Sequence, residues 1–178
     1  MALFMCFMIA IGLSMDTFSL SIIYGTLGMN KKEILKLSIL VGIFHFLMPL
    51  LGDLVGEVIL NYLPIEASTF AGIIFFVIAF QMIASLFKDE EVKKLTTLSS
   101  LLLFAFTVSI DSFSVGIGLS AILINHIFAT AIFMCISFIF TFLGLYMGKK
   151  LKNYFGKIAT LLGSIILLIL SIYYIFIL

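Results

Sequence analysis

The sequence contains no tryptophan and no arginine, only two cysteines and two prolines, and just 11% of its residues are charged. Each shortage excludes something. So little charge cannot make the polar shell that a soluble core of this size requires. The hydrophobic share of 63% and the mean hydropathy of +1.34 therefore point to a bundle of membrane helices. Cys6 and Cys135 both fall inside apolar runs and lack metal-ligand spacing, so neither a disulfide framework nor a thiolate metal site is implied. No basic stripe or charged tail is present for nucleic acid. No phosphate-cradling glycine loop is present for a nucleotide-driven pump. The first apolar run is long and has neither a basic lead-in nor a small-residue cleavage site, so it reads as a retained helix.

What is present is six long apolar stretches. Spans are predicted at about 2–24, 34–60, 65–87, 98–120, 127–148 and 158–178. They are separated by Gly25 to Glu33, Asn61 to Pro64, Lys88 to Lys94, Asn125 with His126, and Lys149 to Gly156. All ten basic residues are lysines, and all fall in or beside the first, third and fifth connections. The positive-inside rule places those three loops in the cytoplasm and both termini outside.

The chain also repeats itself. Ser14-Met15-Asp16-Thr17-Phe18-Ser19 and Ser109-Ile110-Asp111-Ser112-Phe113-Ser114 share the pattern S-x-D-[ST]-F-S at an offset of 95. Gly52 and Gly56 of the second span match Gly144 and Gly148 of the fifth at an offset of 92. Gly72 matches Gly163 at an offset of 91. The expected fold is an all-α integral membrane protein with six transmembrane helices arranged as two inverted three-helix repeats, residues 1–90 and 95–178. An odd number of spans per repeat forces the inversion, and such transporters hold their substrate near the midplane between the repeats.

Both strings sit mid-span. A carboxylate in hydrocarbon costs at least ~3 kcal/mol on insertion scales, so Asp16 and Asp111 are site candidates by default. They fall roughly 7 Å apart along the membrane normal, straddling the midplane. Ser19 and Ser114 lie one turn beyond the acids and serve equally well as ligands or as packing hydroxyls. On the fourth span Thr107, Asp111, Ser114 and Gly118 are expected to share one helix face. Ser14, Ser21, Ser109 and Ser120 are expected to pack helices, as small residues commonly do in membranes.

The second span is the next most polar. His45, Pro49, Asp53 and Glu57 follow one another at intervals of four, beside Met48, Gly52 and Gly56. Pro49 removes a backbone donor and frees a carbonyl at mid-depth. Glu57 reads as an interfacial anchor and Gln81 as a packing hydrogen-bonder. Carboxylate, hydroxyl and carbonyl oxygens suit Mg, Ca or Mn, while Met15 or Met48 would add a softer ligand favouring Mn. The candidate metal set is Asp16, Asp111, Ser19, Ser114, His45, Met48 and Asp53. Pro49, Gly52, Gly56, Gly144 and Gly148 are candidate hinge or packing positions.

At these residues the chain resembles the MntP family of manganese efflux pumps. The likeness rests on the paired Asp strings and on Met48-Pro49-Leu50-Leu51-Gly52-x-x-x-Gly56, and it covers essentially the whole chain. It departs at His45, where the resemblance implies Gln, and at Asp53, where it implies an apolar residue. The resemblance implies a secondary transporter, not an enzyme, that exports Mn²⁺ across the inner (plasma) membrane with no cofactor. Asp16 and Asp111 would bind the dication between the halves, with protons as the exchanged ion. A sporulation-associated branch of the family shares the Asp pattern, so a non-transporting role or another cation stays open, as does export of a small solute. An intramembrane aspartyl protease would need a G-x-G-D string; Leu50-Leu51-Gly52-Asp53 lacks its first glycine.

Overall fold

The computed structural model describes residues 2–62, 65–87, 95, 97–120, 125–148 and 154–177. Pro64 and the basic segments expected at Lys88 to Lys94 and Lys149 to Asn153 lie outside the described residues. Among the described residues every regular element is a helix: α1 Ala2–Gly25, α2 Lys31–Leu60, α3 Ala67–Ser85, α4 Leu98–Val108, α5 Ile110–Leu119, α6 His126–Gly148 and α7 Tyr154–Phe176. Taken with α4 and α5 as one span, Leu98–Leu119, six are long and apolar enough to cross a membrane. The protein is an all-α, multi-pass membrane protein.

Two boundaries differ from the sequence reading. Helix α2 begins at Lys31, three residues early, because Asn30 and Glu33 form a capping box: Asn30 Oδ1 accepts from the Glu33 amide (2.9 Å) and the Asn30 amide donates to Glu33 Oε2 (2.8 Å). Its 30 residues span about 45 Å, well beyond a hydrocarbon core of about 30 Å. Gly28, with φ +77° in open space, supplies the turn before it. The second difference is larger. The fourth span is not one helix. It is interrupted at Ser109 (φ −103°, ψ 0°), which ends α4 and precedes α5. Thr107 therefore does not share a continuous helical face with Asp111, and it is exposed.

Helix α1 packs on α6 and α7, α2 on α6 and on the α4–α5 span, and α3 on α7 and α5. Exchanging α1 with α4–α5, α2 with α6 and α3 with α7 returns the same set of pairings. The glycines show why α2 seats so closely on the fourth span and α6 on α1. A Cβ on Gly52 would strike the Phe113 carbonyl, and one on Gly56 would meet the Ile117 carbonyl and Ser120 Oγ. On the other side a Cβ on Gly144 would meet the Phe18 carbonyl and Ser21, and one on Gly148 the Ile22 carbonyl. Phe18 and Ile22 are the offset-95 counterparts of Phe113 and Ile117. The α2 stripe thus clasps the span that bears Asp111, and the α6 stripe the helix that bears Asp16, backbone to backbone.

Two apolar clusters fill the bundle. One holds Ile9, Leu13, Phe75, Val115, Leu119, Phe133 and Leu167 among others. The other holds Ile34, Leu37, Val41, Leu101, Phe104, Val108 and Leu145. Helix α6 and the fourth span each contribute to both clusters, and the buried residues between their two contributions are small or polar: Ser137, Thr141 and Gly144 on α6, Ser109 and Ser112 on the fourth span. Phe4, Phe80, Leu103 and Ile169 are exposed, as a lipid-facing surface requires.

Gly116 sits against the backbone of Pro49, where any added Cβ would collide. Gly116→Ala and Gly52→Ala are each expected to lower stability by about 1–3 kcal/mol through overpacking. Gly118, whose Cβ would meet Ile74 no closer than 3.5 Å, should accept Ala. Thermal unfolding of the detergent-solubilised variants checks the contrast; equal losses at Gly116 and Gly118 would refute the close-contact account.

Candidate functional site

Between the two apolar clusters lies a band of buried polar side chains: Ser14, Thr17, Ser19 and Ser21 of α1, His45 of α2, Ser109 and Ser112 of the fourth span, and Ser137 and Thr141 of α6. A buried hydroxyl or imidazole in a bilayer has no water to fall back on, so its partners must come from the protein. For Ser14, Thr17, His45, Ser109 and Ser137 they come from helices that sequence distance keeps apart, whereas the hydroxyls of Ser21, Ser112 and Thr141 have no partner among the described residues. Ser14 Oγ lies 2.9 Å from Ser137 Oγ, joining α1 to α6. His45, fully buried, joins three elements. Its Nδ1 lies 3.0 Å from the Val41 carbonyl and 2.9 Å from Ser109 Oγ, and its Nε2 lies 3.3 Å from Thr17 Oγ1.

The bond directions follow from chemistry. A carbonyl only accepts, so Nδ1 carries the proton and donates toward Val41 and Ser109. In the neutral ring Nε2 then accepts from the Thr17 hydroxyl. The imidazole therefore links the first Asp string to the second: Thr17 adjoins Asp16, and Ser109 stands two residues before Asp111. Both ring nitrogens are engaged, so a metal at Nε2 would have to displace Thr17.

Asp16 and Asp111 are each half-buried at the level of this band. Asp111 lies in the first turn of α5, where the amide-rich end of a helix favours a negative charge. The break at Ser109 also takes carbonyls at the end of α4 out of the regular helical ladder, and Pro49 leaves the His45 carbonyl without its helical donor. Such mid-membrane backbone oxygens are typical cation ligands in transporters with interrupted helices. Ser19 is buried, and Ser114 and Met48 are half-buried. Among the described residues no three His, Cys, Asp or Glu side chains cluster as a preformed metal cage.

Asp53 is placed elsewhere. Its Oδ2 lies 2.5 Å from His126 Nδ1 at the start of α6, tying α2 to α6 away from His45. Glu57 and Gln81 are exposed. The sequence reading missed the His126 contact, because residues 73 positions apart carry no local signal. It also took Ser14 and Ser109 as packing residues and did not single out Ser137. Adding the G-x-x-x-G offset of 92 to His45 gives 137, a signal that was available.

The second carboxylate oxygen of Asp53 is buried without a hydrogen-bond partner. His126→Leu should therefore cost more than Asp53→Asn, because it strands a buried carboxylate while the amide keeps a neutral bond. The expected loss is about 1–3 kcal/mol against about 1 kcal/mol or less, read from thermal unfolding.

Known proteins can now be set beside this geometry. The family described as "Putative manganese efflux pump" matches residues 28–175. A protein named "Putative manganese efflux pump MntP" from Bacillus pumilus is 37% identical over 165 residues, covering 92% of this chain and 89% of its own. Proteins of the same name from Methanosphaera stadtmanae (35% identical, 92% of this chain and 93% of its own) and Bacillus velezensis (34%, 89% and 86%) are similarly close. No solved structure matches the chain. With a family match over most of its length and such relatives along nearly all of it, the chain belongs to the MntP family.

Proposed function

We propose that the protein exports Mn²⁺ across the cell membrane in exchange for protons, with Asp16 and Asp111 as the two carboxylates that take the dication. The substrate comes from the names of its relatives. The observation that carries the site is the polar band, in which two copies of one acid-bearing string are linked through His45 between two apolar clusters. Oxygen ligands suit Mn²⁺. The absence of a closed cage among the described residues suits a cargo that must leave as readily as it arrives.

The two halves, 1–90 and 95–178, act as inverted repeats in this reading. The exchange-symmetric helix pairings and the matched glycine contacts support it. Rocking of one repeat against the other exposes the band alternately to each side. The lysine-bearing loops face the cytoplasm and both termini face outward. An inside-negative potential opposes export by ~2.3 kcal/mol per charge per 100 mV, so a dication needs a coupled ion. Carboxylates that release a metal and accept protons on the same side provide that coupling. Ser19 and Ser114, one turn from the acids on the same spans, and Met48 on α2 are the additional candidate ligands, while Asp53, paired with His126, serves as an outer contact.

Inside-out vesicles test the reading. Wild-type protein is expected to accumulate Mn²⁺ when the lumen is acidified, and Asp16→Asn or Asp111→Asn to reduce uptake at least a hundredfold while still inserting. Uptake indifferent to the pH gradient would remove proton antiport; full activity in both Asn variants would remove the carboxylate site. For topology, a reporter active only outside the cell should respond when fused at either terminus and stay silent when inserted near Lys31.

A further inference from the structure

The chain contains its own control experiment. Ser14 and Ser109 are the first residues of the two matching strings, yet α1 runs unbroken through Ser14 while the fourth span is interrupted at Ser109. No glycine or proline lies at or beside either serine, so local propensity does not explain the difference. The facing residues do. Ser14 Oγ bonds Ser137 on α6; Ser109 Oγ bonds His45 on α2, each at 2.9 Å. His45 and Ser137 occupy equivalent places, 92 positions apart, the same offset that relates Gly52 to Gly144. One half of the bundle has a hydroxymethyl group where the other has an imidazole ring.

The two ends of the interrupted span are then pulled differently. One to three turns further along α2, Pro49, Gly52 and Gly56 bring α5 to backbone contact at Gly116, Phe113 and Ile117. At Ser109 the imidazole stands between the helices and holds the span off by its own width. A straight helix cannot satisfy both demands, so it yields at the residue the ring touches. On α6 the glycines draw α1 in equally closely, but Ser137 imposes no standoff, and α1 stays whole. The surplus polarity fits this account. The hydroxyls of Ser112 and Thr141, counterparts of Thr17 and Pro49, are buried without hydrogen-bond partners among the described residues, as is that of Ser21 on α1, away from the ring's contacts at Thr17 and Ser109. In the half that has His45, Thr17 finds its partner in the ring.

We infer that His45 is a positioning residue: it holds the fourth span open at Ser109 and so sets Asp111 at the head of a separate half-helix. This rests on the reading of Asp111 as a cation ligand only for its effect on transport; the clamp itself is a structural claim. Selectively labelled protein in lipid bilayers gives the test through backbone ¹³C shifts. Wild type should show Ser14 helical and Ser109 not. In His45→Ser, Ser109 should become helical and the KM for Mn²⁺ should rise about tenfold, the effect of roughly one lost ligand bond, with little change in maximal rate. His45→Asn keeps a donor near the place of Nδ1 and should restore the break and most of the affinity. Ser137→His should push Ser14 out of the helical range, and it carries the test alone if His45→Ser fails to insert. A non-helical Ser109 in His45→Ser, or a helical Ser14 in Ser137→His, overturns the clamp. Loss of the break in His45→Ser without any change in KM would keep the clamp and count against Asp111 as a ligand.

Discussion

Everything polar inside this bundle answers to one constraint: hydrocarbon offers no hydrogen bonds. Away from Pro49 and the break at Ser109, the described helices satisfy their own backbones, but the hydroxyls and the imidazole at mid-depth must look to one another. Ser14 with Ser137 and Ser109 with His45 do so across distant parts of the chain, while Ser21, Ser112 and Thr141 stay without partners among the described residues. The apolar clusters on either side leave these groups no escape to an interface. That confinement gathers many of the buried side-chain oxygens of the described residues into one band, between Ser14 of α1 and Thr141 of α6.

Close packing and polarity are two sides of the same arrangement. The glycine stripes of α2 and α6 bring backbones together so that short side chains can reach across. Without that approach a serine hydroxyl, barely one bond length beyond its Cβ, would fall short of a neighbour. His45 is the exception in size, and the fourth span bends around it. Its ring reaches Ser109 from α2, where on α6 the short Ser137 reaches Ser14.

Much of this was legible in the sequence. Six apolar runs gave the span count, the doubled S-x-D-[ST]-F-S strings named the acid positions, and the matched glycines anticipated which stripes would pack. The Asn30 to Glu33 capping box was also there to be read and would have extended α2 by a turn. The break at Ser109 was not legible. Ser-Ile-Asp-Ser is as acceptable to a membrane helix as Ser-Met-Asp-Thr, and only a ring 64 residues away separates their fates. The Asp53–His126 contact was hidden for the same reason. Local pattern determines helices; what interrupts or ties them is decided by neighbours that pattern does not identify.

The crossed clasp of the glycine stripes has a consequence for biogenesis. The first acid-bearing helix is gripped by α6, more than a hundred residues downstream, and α2 grips a span that begins nearly forty residues after it ends. During synthesis the first three spans therefore enter the bilayer before their partners exist. Helix α2 meets its first partner with the fourth span, α1 with the fifth, and α3 gains its main partner, α7, only with the sixth. The helix pairings that enclose the polar interior are therefore complete only once the last span is in the bilayer.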